Sequence, residues 1–302
     1  MKNFLTVIFL IFSVAFHSQE KQPKIGLVLS GGGAKGFAHV GVLKEIDKAG
    51  LKIDYIGGTS MGAIVGGLYA IGYSGEQIEK IVLETNFMSI LRDKLPRKSE
   101  SFFEKEHGGN TIVTLPVKNR SLNLPKGVSK GQNVLNLLME LLASVEGVKD
   151  FKKLPIPFYC IATDVETGGP VLIEKGSLAL ALRASGSFPT LLNPVNLNDK
   201  LLVDGGIANN FPVSIMKKRN MDIVIGVDVE GRLNKKEKLN SVIDIMNQVI
   251  SYQMYSKSEA EKKKLDVYIH PDIYGYTVVN FDKKKEILKR GIDEAKKFRG
   301  VF

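Results

Sequence analysis

Cysteine is nearly absent from these 302 residues: Cys160 stands alone. One thiol closes no intrachain disulfide and builds no cysteine-rich metal site. Its setting in Phe158-Tyr159-Cys160-Ile161-Ala162 marks it as a small apolar core residue rather than a reactive group. Histidine is scarce too, with four residues, so few imidazoles are on hand for general-base chemistry. No apolar run reaches the roughly 20 residues that a helix needs to cross hydrocarbon; the run from Phe4 to Phe16 stops at 13. Nor is the composition extreme. Charged residues at 25% and hydrophobic ones at 44% exclude a disordered, collagen-like or coiled-coil chain. The excess of 42 Lys+Arg over 32 Asp+Glu, +10, suits an anionic partner without separating nucleic acid from phospholipid. No internal repeat is present.

What is there begins with a leader. Lys2 precedes the apolar run Phe4 to Phe16, and polar His17-Ser18-Gln19-Glu20 follows, which is the pattern of a secretory signal peptide. Residues 1–18 are therefore expected to be removed, with +9 left on the remainder, and the protein to be exported: periplasmic, outer-membrane-associated or secreted. Phe16 departs from the small residue that a cleavage box wants. Residues 19–302 are expected to form a single domain.

Short apolar runs then alternate with amphipathic ones. Strands are expected at Lys24 to Leu29, Ile53 to Ile56, Phe158 to Ala162, Leu201 to Val203, Ile223 to Val229 and Val267 to His270. Helical periods fill Val40 to Lys48, Ala63 to Ile71, Gln77 to Leu83, Val134 to Ala143, Leu178 to Ala184, Val242 to Lys263 and Lys284 to Phe298. Strands separated by helices predict an α/β fold with a mainly parallel central sheet covered on both faces. Residues 87–132 break the rhythm. They hold Phe87, Met88, Ile90, Leu91, Phe102 and Phe103 beside Arg92, Lys94, Arg97 and Lys98, and a hairpin is expected after them at Thr111 to Leu115 and Ser121 to Leu124. Such a segment is a surface insertion packed on the body, or a lid that meets lipid acyl chains and phosphates.

Three glycine-marked turns each follow an apolar strand, which should bring them to one carboxyl edge of the sheet, where open α/β folds place their sites. The first, Ser30-Gly31-Gly32-Gly33-Ala34-Lys35-Gly36, contains G-x-G-x-x-G, a pattern shared with dinucleotide-binding loops. A ribose-binding carboxylate at the end of the second strand is wanted for that reading, and Asp54 lies instead at that strand's start. The second, Gly57-Gly58-Thr59-Ser60-Met61-Gly62, contains G-x-S-x-G before a helical run. Gly58 and Gly62 permit a sharp strand-to-helix turn that lifts Ser60 into solvent, a nucleophile elbow. The third, Leu201-Leu202-Val203-Asp204-Gly205-Gly206, sets a carboxylate at a strand end, where burial would raise its pKa toward that of a general base.

A serine hydroxyl needs a base to take its proton and donors to receive the charge that develops on the carbonyl oxygen. The backbone N–H groups of Gly31, Gly32, Gly33 and Ala34 could form that oxyanion hole, with Lys35 capping the loop and facing lipid or solvent. For the base two readings stand. Asp204 could act alone, or Ser60, Asp204 and His270 could form a triad in the chain order of α/β-hydrolases. His39 lies just inside a helix, His107 in the irregular segment, and His17 in the leader.

The motifs at 31–36, 58–62 and 204–206, in that order, resemble those of the patatin-like phospholipases of bacterial, secreted type. The resemblance continues through Gly41-Val42-Leu43, through Arg183-Ala184-Ser185-Gly186-Ser187-Phe188-Pro189 and through Asn210-Phe211-Pro212. It covers about residues 24–230 and leaves a basic helical part, 231–302, less distinctive. It implies a three-layer α/β/α fold and a lipid acyl hydrolase of phospholipase A type. Ser60 would be its nucleophile and Asp204 its proton acceptor, the loop at 31–34 its oxyanion hole, and Gly36, Gly58, Gly62, Gly205 and Gly206 would shape the turns. It implies further no metal, no cofactor and no nucleic acid, a phospholipid or other acyl-ester lipid as substrate, and peripheral contact with a membrane surface. A lipid-binding module with an inactive elbow is the alternative from a different class.

Overall fold

The computed structural model describes residues 22–91, 93, 117–118, 121–122, 129–189, 191–231, 233 and 235–300. The expected leader, and most of the segment 87–132 with its basic residues Arg92, Lys94, Arg97 and Lys98, fall outside them.

The described strands are β1 (Ile25–Leu29), β2 (Tyr55–Thr59), β3 (Val117–Lys118), β4 (Ser121–Leu122), β5 (Phe158–Asp164), β6 (Pro170–Ile173), β7 (Val195–Leu197), β8 (Lys200–Asp204), β9 (Ile223–Val227) and β10 (Val267–Ile269). The α-helices are α1 (Phe37–Ala49), α2 (Met61–Ala70), α3 (Gly75–Glu84), α4 (Phe87–Leu91), α5 (Gln132–Leu141), α6 (Leu178–Ser185), α7 (Gly206–Asn209), α8 (Val213–Lys217), α9 (Val242–Lys262) and α10 (Lys284–Ala295). Strand β4 pairs antiparallel with β3; the first arm of the expected hairpin, residues 111–115, lies outside the described residues.

Strand residues alternate between two cores, as a two-residue side-chain period demands. Leu27, Leu29, Ile56, Phe158, Cys160, Ile225 and Val227 face the larger core, under α1, α2, α3, α6 and α10. Val28, Tyr55, Tyr159, Ile161 and Val224 face a smaller one with Phe211, Val213 and Met216 of the α8 region. Both faces of the sheet are thus covered, giving the expected three layers and explaining why its inner strands read as unbroken apolar runs. Cys160 is fully buried and free, and burial pushes its thiol pKa up. Helix α10 lies backbone-close on α1: a Cβ on Gly41 would run into the Leu288 carbonyl, and one on Gly291 into the Ala38 carbonyl.

The sheet runs β10-β9-β1-β2-β5-β8-β7, with β6 also on β5. The five strands from β10 to β5 are parallel. The rest is not, which corrects the expectation for the third turn: β8 runs antiparallel to β5, as does β6, and β7 is antiparallel to β8. Strand β6 pairs with Cys160 to Thr163 and so occupies one edge of β5. On the other edge β2 pairs with residues up to Ile161 and β8 begins at Ala162, opposite Asp204. The carboxyl ends of β2 and β8 therefore meet head-on along β5. Asp204 reaches the predicted edge from the opposite direction, because β5 overshoots β2 and gives β8 a place to return.

Candidate active site

Ser60 joins β2 to α2 with φ 54° and ψ −123°, a left-handed geometry that costs a non-glycine residue on the order of 1–3 kcal/mol. The elbow needs its glycines for close approach. A Cβ on Gly58 would stand 2.7 Å from the Gly62 carbonyl, and one on Gly62 would run into the Leu29 and Ser30 carbonyls. The Ser60 N–H donates to Ser185 Oγ at 2.9 Å, whose hydroxyl donates to the Ile161 carbonyl at 2.6 Å. This fixes the elbow to α6 and β5. At 8% exposed, Ser60 is buried against a cavity rather than lifted into solvent as the sequence suggested.

Ser60 Oγ donates to Asp204 Oδ2 at 2.6 Å, and Asp204 Oδ1 accepts from the Gly206 N–H at 2.8 Å. Asp204 is buried. Loss of solvent pushes its carboxyl up to about 6, against the opposing pull of those two hydrogen bonds. Gly205 lies so close to the Ile161 carbonyl that a Cβ would collide with it, and a Cβ on Gly206 would crowd Asp204 Oδ1 at 3.0 Å.

The glycine loop divides its N–H groups between two tasks. Gly31 donates to the Asn210 carbonyl at 3.1 Å and Ala34 to the Val278 carbonyl at 2.9 Å, anchoring the loop at both ends. Gly32 and Gly33 border the same cavity as Ser60, and their N–H groups find no acceptor among the described residues. The four-residue hole expected from the sequence thus narrows to these two donors. Gly33 has φ +54°, and a Cβ there would strike the Val278 carbonyl. Gly36 packs directly on the Met61 side chain beside the elbow.

Neither described histidine stands between Ser60 and Asp204, whose hydrogen bond is direct. His270 bonds the Asp228 carbonyl through Nδ1 at 2.9 Å and stacks on Tyr268, so the triad reading loses its third member. His39 is buried with Nε2 on the Ser30 carbonyl at 2.8 Å, and burial holds its ring down to about 4. His17 and His107 lie outside the described residues. Lys35 does not face solvent or lipid: it is 8% exposed, because the turn Gly33–Gly36 directs it into the body of the fold.

The cavity at Ser60 holds about 130 Å³ and is apolar, with walls from Ile64, Ile90, Leu91, Leu137, Leu182 and Leu192 among others. Helix α4, the described start of the expected insertion, has two kinds of contact. Ile90 and Leu91 line this cavity, while Phe87 packs on Phe37 and Phe281 of the body.

Three supporting residues were given no role by the sequence. Ser185 holds the Ser60 N–H. Arg183, buried, donates to the carbonyls of Lys130, Gly131 and Asn193. Asp93 accepts from Ser129 Oγ at 2.7 Å and from the N–H groups of Gly131 and Asn133. Each acts on a distant segment, which local pattern does not disclose, although a serine and an arginine inside an otherwise apolar helix were the visible hint. Among the described residues no three His, Cys, Asp or Glu side chains cluster as a metal ion would require.

Comparison with known proteins places this geometry in context. A family model described as patatin-like phospholipase matches residues 27–217. The lysophospholipase NTE1 of Meyerozyma guilliermondii is 29% identical over 297 residues, covering 88% of this chain and 18% of that protein. An NTE family protein of Mycobacterium tuberculosis is 30% identical over 212 residues, covering 70% and 51% respectively. The chain thus spans about a fifth of the length of the lysophospholipase. Among solved structures, VipD from Legionella pneumophila matches at TM-score 0.47 and 17% identity, over 93% of this chain and 67% of that one. ExoU in its complex with SpcU from Pseudomonas aeruginosa matches at 0.43 and 17%, over 93% and 52%.

Proposed function

Because the chain belongs to the patatin-like phospholipase family, we propose that it hydrolyses carboxylic ester bonds of phospholipids or related acyl lipids with Ser60 and Asp204 as a catalytic dyad. The observation that carries this is the direct 2.6 Å hydrogen bond from Ser60 Oγ to a buried carboxylate, on a strained elbow beside two backbone N–H groups that have no acceptor among the described residues. In this reaction Asp204 takes the hydroxyl proton as Ser60 Oγ attacks the ester carbonyl carbon. Gly32 and Gly33 receive the charge on the carbonyl oxygen, each donor contributing about 2.7–4 kcal/mol of transition-state stabilisation. The proton passes from Asp204 to the departing alcohol. Water, deprotonated by the same carboxylate, then releases the fatty acid from Ser60. The apolar cavity takes the acyl chain.

Contact with a membrane surface is part of the same reading. Its support is α9, whose Ile245, Met246, Val249 and Tyr252 share one outward helical face and are each about half exposed, while Met254 on the opposite face lines the cavity at Ser60. Export to the periplasm, outer membrane or medium is likewise proposed, on the apolar leader run at Phe4 to Phe16.

The test is release of fatty acid from phospholipid, lysophospholipid and p-nitrophenyl esters by the full chain in the presence of chelator, with Ser60→Ala as the comparison. Release is expected from the wild type and not from the variant. Undiminished hydrolysis by Ser60→Ala overturns the assignment, and lipid binding without turnover by the wild type assigns a binding module instead.

A further inference from the structure

Lys35 is a charge that the proposed chemistry leaves unused. It is 92% buried, and its ammonium makes no hydrogen bond or ion pair with any described residue. Its Nζ stands over Gly231, where a Cβ would come within 2.9 Å of it. Two carboxylates lie near enough to favour its charge, yet burial outweighs them and pulls its pKa below the usual lysine value. Neither supplies a free counter-ion. Asp228 is already engaged by Lys262 Nζ at 3.0 Å, Tyr268 Oη at 2.9 Å and the Glu230 N–H at 2.8 Å. Glu230 is pushed up to about 7, first by burial and then by Asp228, so it is only partly ionised at neutral pH. A desolvated cation without a full counter-charge is unfavourable unless something anionic completes it.

Lys35 borders a second chamber, of about 230 Å³, that lies against Gly31 and Gly32 and has a mixed lining, with Glu230, Gln248 and Tyr276 among apolar Leu233, Val278 and Val279. This chamber and the apolar cavity at Ser60 share Gly32, Phe188, Asn210, Met254 and Val278, so they adjoin across the glycine loop. An ester whose carbonyl oxygen sits on Gly32 and Gly33 has an apolar acyl chain on one side and an alcohol moiety on the other. The apolar cavity suits the first. We propose that the second chamber receives the alcohol moiety and that Lys35 is the counter-charge for a phosphate on it, as in a glycerophospholipid. This rests on the reading of Ser60 as the nucleophile.

Two soluble esters with one acyl chain test it: 1-octanoylglycerol 3-phosphate and 1-octanoylglycerol, assayed with the full chain. p-Nitrophenyl butyrate and labelling of Ser60 by a fluorophosphonate report separately on the nucleophile. The wild type is expected to favour the phosphorylated ester by about tenfold or more in kcat/KM, chiefly through KM. Lys35→Met should bring that ratio to within about twofold of unity, and Lys35→Arg should keep much of it. Gly231→Leu, which crowds the ammonium without removing it, should also lower the ratio. A wild-type ratio near unity overturns the subsite, as does an unchanged ratio in a Lys35→Met protein that still labels. If Lys35→Met fails to label, the wild-type ratio and Gly231→Leu decide. Competition by inorganic phosphate without any preference between the esters assigns the chamber to free phosphate and overturns its role toward substrate. Absence of labelling and of p-nitrophenyl butyrate hydrolysis in the wild type is a different failure, that of the active-site reading.

Discussion

In the proposed dyad Asp204 is asked to be two things at once. It must be ionised to take a proton from Ser60, yet hold it well enough to pass it on, and a carboxyl pushed up to about 6 by burial meets both demands near neutrality. kcat/KM should therefore rise with pH through about 6 and level off above it, since the ionised form is the base. The same burial opposes folding. With a folded pKa above the ordinary 3.8, the folded state holds its proton more tightly than the unfolded one, so stability is lost as pH rises from about 4 to 6. Asp204→Asn keeps an acceptor for the Gly206 N–H and removes the charge. It should be nearly inactive yet more stable than wild type above pH 6, by on the order of 2–3 kcal/mol, with the gain vanishing near pH 4. Thermal melts of both proteins across that range check it; an active variant, or one less stable at pH 7, contradicts the base assignment. Ser60, Asp204 and their glycines were legible in the sequence because each turn admits few residue types. Lys35 was not: a lysine beside a loop reads as solvated, and only the turn geometry shows where it goes. Ser185 was equally opaque, since its partner is 125 residues away.

At the scale of elements, α1 and α10 show what backbone-close packing demands. Gly291 lies against the Ala38 carbonyl with no room for a methyl group, whereas Gly147 has open space around it. Gly291→Ala should destabilise by about 2 kcal/mol or more, lowering Tm by about 4–8 °C, while Gly147→Ala should leave Tm almost unmoved. Calorimetry of the pair separates a steric origin from a general intolerance of alanine in place of glycine. The sequence pattern located the parallel strands and the long helices to within a few residues. It missed β6 and β7, which have four and three residues and no strong alternation. It also began β2 two residues early, because Ile53 is apolar but Asp54 turns aside to accept from the Ile25 N–H at 2.9 Å. Reading β8 as parallel was the costlier miss: strand direction is set by which edge of β5 is free, and no local pattern records that.

Across the whole molecule, a charge of +10 and the outward face of α9 point the same way. Replacing Ile245, Met246, Val249 and Tyr252 together by Ser should weaken binding to vesicles containing phosphatidylglycerol by about tenfold or more. Added salt should weaken wild-type binding, because attraction to anionic lipid is screened. Hydrolysis of p-nitrophenyl butyrate should persist. Vesicle sedimentation decides, and unchanged affinity in the quadruple variant removes α9 as the membrane face. The head-on meeting of β2 and β8 has a consequence in time rather than space. Ser60 and Asp204 stand 144 residues apart in the chain, and such distant pairings close late, after the loops between them have been gathered in. A half-folded chain possesses every group of the dyad and none of its chemistry. For a protein proposed to attack lipid, that delay is protective: the chain is inert toward the membranes around it until its sheet is complete.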